Sequence, residues 1–197
     1  SAASFVGVGI QGVTVPLRDG MPSITNNNFV AGDLNQLTGL KGDASTKYLS
    51  TGINAISLSQ NDTSISTYVT APTASFSYMA GAEYTYSPQL SLVSTGTATR
   101  ADVFTGSTVT DFGTTLGVGL LGASRSNSAD QDRRSNQTNY PQTIASVTPQ
   151  SAALTIFSYS GSYLTAARLA TYHVGTALNL ATLEGLQDTL ILEIAAI

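Results

Sequence analysis

Hydrophobic and polar positions alternate with period two through much of the chain. In residues 63–70, Ile65, Thr67 and Val69 alternate with Ser64, Ser66 and Tyr68. In residues 168–174, Ala170, Tyr172 and Val174 fall on one face and Leu169, Thr171 and His173 on the other. That period, in β-branched and aromatic segments, predicts half-buried strands. Residues 46–51, 74–80, 83–93, 97–104, 116–123 and 152–160 read as further strands, and the apolar run at residues 5–17 as one or two more. Residues 18–28, with Asp19-Gly20, Pro22 and three consecutive Asn, carry turn chemistry. Residues 124–140 are the most polar stretch and read as a loop.

The period changes once. Beyond Gly175, Leu180, Leu183, Leu186, Leu190, Ile191, Ile194 and Ile197 recur at steps of three and four. This predicts a helix over about residues 180–194, capped by Asn179, with Leu183, Leu190 and Ile194 buried against a sheet. Gln187, Asp188 and Glu193 fall largely off the stripe. Many short strands followed by one helix predict an all-β fold, a two-sheet antiparallel β-sandwich with a C-terminal helix. No linker divides the chain, so residues 1–197 read as a single domain.

Composition narrows the chemistry. Charged residues make up only 10% of the chain and the net charge is −4. The eight basic residues form no stripe, which argues against nucleic-acid binding. No apolar run is long enough to insert in a membrane as a helix. A surface of Ser, Thr, Asn, Gln and Gly suits assembly contacts or neutral ligands such as sugars. There is no cysteine and one histidine, His173, so metal and thiolate chemistry have few ligands and no cofactor is expected. The glycine patterns at Gly7, Gly9 and Gly12 and at Gly117, Gly119 and Gly122 lack the helix start that a dinucleotide site requires, and close strand packing is the simpler reading. Asx residues near turns (Asn26, Asn27, Asn28, Asp33, Asp43, Asn61, Asp62) lack calcium-loop spacing and read as turn formers. No paired-carboxylate cluster points to glycoside hydrolysis, so no catalytic residue is assigned. Tyr78, Tyr84, Tyr86, Tyr159 and Tyr163 can stack on sugar rings, line a subunit contact, or simply fill the core rim.

Three stretches carry a family resemblance: NFVAGDLNQLTGLKGDASTKYLSTG at residues 28–52, LLGASRSNS at 120–128, and RLATYHVGTALNLATLEGLQDTL at 168–190. Together they resemble the concanavalin A-like, laminin G-like jelly-roll domains of tailed-bacteriophage virion proteins. Ala44 stands where the family pattern has Gly. The resemblance implies a jelly-roll sandwich on a phage particle, in a tail, fibre or capsid-surface role. Its implied partners are other virion proteins, copies of itself and a host-surface glycan. The alternative is a glycan-degrading enzyme on the same fold. The contact residues expected on this reading are Tyr84, Tyr86 and Tyr163 at the rim, with Arg125, Asn127, Arg133 and Arg134 in the polar stretch.

Overall fold

The computed structural model describes residues 2–6, 9–17, 19–82, 89–106 and 111–196. Its strands, in chain order, are β1 Ala2–Ser4, β2 Thr25–Asn27, β3 Leu34–Asn35, β4 Gly39–Lys41, β5 Tyr48–Asn54, β6 Thr63–Ala71, β7 Phe76–Ala82, β8 Gln89–Thr95, β9 Thr99–Thr105, β10 Gly119–Arg125, β11 Asp130–Ser135, β12 Thr138–Asn139, β13 Gln142–Thr143, β14 Ala153–Ile156 and β15 Arg168–Gly175. Helix α1 follows at Leu180–Ala195.

Among the described residues the strands form two sheets. One has the order β12-β11-β10-β6-β15-β4-β3, with β1 also on β15 and β13 on β11. The other runs β2-β5-β14-β7-β8-β9. The described pairings are antiparallel. The sheets face each other across one core. Ile65, Val69, Leu121, Leu169 and Tyr172 come from the nine-stranded sheet, and Leu49, Met79, Leu90, Leu92 and Ile156 from the six-stranded sheet. The expected two-sheet β-sandwich with a C-terminal helix is the observed architecture.

Strand β6 is covered on both faces. Thr63 to Val69 are all buried, because the sandwich core covers one face and α1 the other. Its core face is Ile65 and Val69, while Tyr68 packs on the helix side with Val6, Leu120, Ala170 and Leu180.

Three expectations need correction. The described residues of 5–17 form no strand: β1 ends at Ser4 and a 3-10 helix occupies Ile10–Thr14. The pairing of β15 with β6 slips between Leu169 and Thr171. Leu169 therefore joins Tyr172 and Val174 in the core, and Ala170 turns to the helix side. The polar stretch 124–140 is a β-hairpin, not a loop. Along β11, Gln131, Arg133 and Ser135 are buried and Asp130 and Asp132 exposed, so the strand hides its polar side chains by bonding them.

The resembling segments turn out to be structural joints. A Cβ on Gly39, which has φ +92°, would sit 2.1 Å from Leu169 O, so a side chain there would collide with the neighbouring strand. Asp43 Oδ1 accepts from the amides of Ser45, Thr46 and Lys47 at 2.8–3.0 Å, and its Oδ2 from Thr46 Oγ1 at 2.7 Å. Those bonds outweigh desolvation and hold its carboxyl well below the usual carboxylate range. Ala44 sits at φ +58°, a left-handed conformation that suits Gly.

Candidate functional site

The outer face of the six-stranded sheet carries an aromatic platform. On β7, Phe76 and Tyr78 point away from the core, while Met79, Ala80 and Ala82 point into it. A two-residue turn after β14 brings up the other rings. Ser160 and Gly161 at its centre both have positive φ, and Tyr159 and Ser162 exchange backbone bonds of 2.8 and 2.9 Å across it. This is the geometry of a tight hairpin with a type I′ turn. Tyr159 stacks on Tyr78 with centroids 4.4 Å apart. It lies over Gly81, where a Cβ would come within 2.5 Å of its ring. Tyr163 also has positive φ, at +49°, and its carbonyl accepts from the Tyr78 amide at 3.0 Å. Backbone held in that region outside glycine is strained, and here it sets the ring against Phe76 at 5.7 Å, edge to face.

The result is a graded surface. Tyr78 and Tyr159 are half-buried and form the floor. Phe76 and Tyr163 are 51% and 58% exposed and form raised edges. None of the four carries a charge at neutral pH. Burial, with neighbouring Tyr159 adding to it, pushes the Tyr78 phenol up to about 12, so it stays a neutral donor. Arg100, which lies near Tyr78, is itself held by Asp111 at 2.8 Å. Such a surface offers ring faces and hydroxyl groups to a neutral ligand, and little to an ion.

The residues expected to make contacts divide. Tyr163 is on the platform. Tyr84 and Tyr86 lie outside the described residues. Asn127 is exposed but works as a turn cap, its Oδ1 accepting from the amides of Ala129 and Asp130, both at 2.8 Å. Arg125 is fully buried. It donates to the carbonyls of Val103, Asp130 and Ile144 at 2.9, 3.1 and 3.0 Å, and so ties the edge of one sheet to the other. Arg133 is buried over the Phe112 ring, 4.9 Å from its centroid, with Nε donating to Tyr140 O. Arg134 Nε meets Glu184 Oε2 of α1 at 2.5 Å. The three arginines therefore hold the hairpin, the sheets and the helix together, and the platform lies elsewhere. Sequence reasoning missed Phe76. The alternation of residues 74–80 places it beside Tyr78, and that adjacency was the available signal.

Four of the acids are also engaged. Asp33 pairs with Lys47 at 2.6 Å, Asp111 with Arg100, Glu184 with Arg134, and Asp188 accepts from the Tyr68 hydroxyl. Ser64 Oγ lies 3.1 Å from His173 Nε2, but Ser64 is fully buried and its hydroxyl donates to Thr176 O. This pair secures a strand end, with no access for a substrate. Among the described residues no three His, Asp or Glu side chains gather as a metal site. Compared with known proteins, the chain matches no family model and no curated protein.

Proposed function

We propose that the protein is a binding and assembly module of a bacteriophage particle that holds a neutral glycan on the aromatic platform and performs no chemistry on it. The observation that carries the ligand class is the platform itself: exposed rings of Phe76 and Tyr163 around a floor of Tyr78 and Tyr159, all uncharged. A sugar ring can lie on such a floor and hydrogen-bond the phenols at its edge. The virion setting, as a tail, fibre or capsid-surface component, rests on the resemblance of residues 28–52, 120–128 and 168–190. On the same grounds we read the sandwich as a concanavalin A-like jelly roll. One such site is weak, and many copies on a particle would convert it into firm attachment through effective concentration.

Titration calorimetry of the chain with neutral oligosaccharides from host envelopes tests this reading. Binding should survive a rise in salt, since no ionic contact drives it. Tyr163→Ala should weaken it at least ten-fold. Binding that Tyr163→Ala leaves intact sinks the platform, and release of reducing sugar by the purified chain would establish the enzymatic alternative.

A further inference from the structure

Helix α1 docks by buried Leu180, by Ile191 and by polar side chains, and turns Leu186, Leu190 and Leu192 outward. Glu184 is 2% exposed. It accepts from the Leu120 amide at 2.9 Å and pairs with Arg134. Gln187 is buried and donates to Thr171 Oγ1 at 2.7 Å, and Tyr68 donates to Asp188. These bonds fix the rotation of the helix. Leu186 and Leu190 lie on one flank beside the docked face, with half-buried Leu183 and Ile194 between them and the cluster under the helix. Leu186 is 65% and Leu190 38% exposed. Two clefts run along that flank. One, at the first turn, is bounded by Leu178, Leu183 and Leu186. The other, at the last turns, lies between Leu190 and Ile194 on the helix and Val6, Leu17 and Leu37 beside it. No charged side chain lines either cleft.

We infer that this flank pairs with the same flank of a second copy, α1 against α1 in antiparallel orientation about a two-fold axis. A two-fold contact needs a surface complementary to itself. Clefts at both ends of one flank meet that need, since the Leu178–Leu186 end of each helix comes over the Leu190–Ile194 cleft of the other. Charge selects the same arrangement. The last turn carries no basic residue to offset exposed Glu193, and the first turn carries no acid. Antiparallel pairing sets each Glu193 beside the partner's positive helix N-terminus, whereas parallel pairing sets it beside another Glu193. A flank without cations offers nothing to nucleic acid. The contact stands independently of the glycan reading, because it lies on the outer face of the opposite sheet.

Sedimentation of the full chain tests the pairing. A dimer is expected at protein concentrations on the order of 10 µM. Leu186→Glu should weaken it at least ten-fold. Leu192→Glu, at a 70% exposed position on the opposite flank, should leave it intact. Thermal melts verify that both variants fold, and Tyr163-dependent glycan binding should be the same in both. The chain has no cysteine, so oxidising a Leu186→Cys, Leu190→Cys double variant should give a covalent dimer in high yield. A monomer at ten times that concentration, assemblies larger than a dimer, equal dissociation by Leu192→Glu, or a dimer that the double variant does not cross-link would each overturn the inference.

Discussion

The two outer faces of the sandwich solve the same problem in opposite ways. On the nine-stranded sheet a helix covers the face, and its deepest contacts are a carboxylate, an amide and a phenol–carboxylate bond. On the six-stranded sheet the platform stays open, and its contacts are ring against ring. Apolar side chains are thus turned to solvent on both faces, leucines beside the helix and aromatics on the platform. Polar bonds fix the orientation of α1 because they are directional and costly to leave unmade. Apolar packing alone would let it roll.

The sharpest way to break this contrast is Glu184→Ala. It leaves Arg134, which is 11% exposed, with only Asn139 Oδ1 as a side-chain acceptor, and orphans the Leu120 amide. Removing one partner of a buried ion pair should cost about 3–5 kcal/mol, read by chemical denaturation. A loss under about 1 kcal/mol would mean that the leucines, and not the polar seam, hold α1. Next in size is a pair of leucines. Leu180→Ala, in the buried cluster beneath the helix, should cost about 2–4 kcal/mol. Leu190→Ala should cost the monomer less than about 1 kcal/mol, since its side chain is already partly hydrated. This reverses the expectation from periodicity, which placed Leu190 inside.

Each sheet also holds a titratable group, half-buried His173 in one and buried Asp102 in the other, and the two have opposite signs. Burial pushes His173 down to about 4. The unfolded chain then binds more protons between that value and the ordinary 6.5, so this term makes stability fall as pH drops through that window. Asp102 lies between core residues Ala101 and Val103 and is fully buried. Burial pushes it up to about 7 despite the pull of Arg100 and Arg133 and a hydrogen bond from Gln131. Here the folded chain binds more protons between 3.8 and 7, so stability falls as pH rises across that range. Melting temperature against pH should therefore be nearly flat from about 4.5 to 6.5, where the terms oppose each other. His173→Gln should expose a downward slope with rising pH, and Asp102→Asn an upward one. Slopes of the reverse sign would refute both assignments.

The smallest effect concerns the turn of the 28–52 segment. Ala44→Gly should raise stability by up to about 1 kcal/mol by relieving the left-handed strain, detectable as a small rise in melting temperature.

Legibility in the sequence followed the physics of each element. Strand β6 was readable because its side chains alternate, and the helix start because Asn179 Oδ1 accepts from the Thr182 amide at 3.0 Å. The rotation of α1 was not, because periodicity assigns Gln187 and Asp188 to solvent, and only their distant partners Thr171 and Tyr68 pull them in. Strand β11 was hidden for the same reason: its buried positions are Gln131, Arg133 and Ser135. Three of the four platform rings, Tyr78, Tyr159 and Tyr163, could be anticipated from the tyrosines alone. Its assembly could not, because it depends on a hairpin that returns from residue 163 to residue 76.

The place of β6 in the sheet has a consequence for how the chain is made. Its neighbours are β10 and β15, and residues 65 and 174 are in register. A chain emerging from the ribosome therefore carries β6 with one edge unpaired until β15, at Arg168–Gly175, has been synthesised. Sheets closed by such distant partners form slowly, and an exposed strand edge invites pairing with other chains. The Ser and Thr residues of β6, at positions 63, 64, 66 and 67, make that edge less adhesive than an all-aliphatic strand. Productive folding is then a race between completion of β15 and association of nascent neighbours.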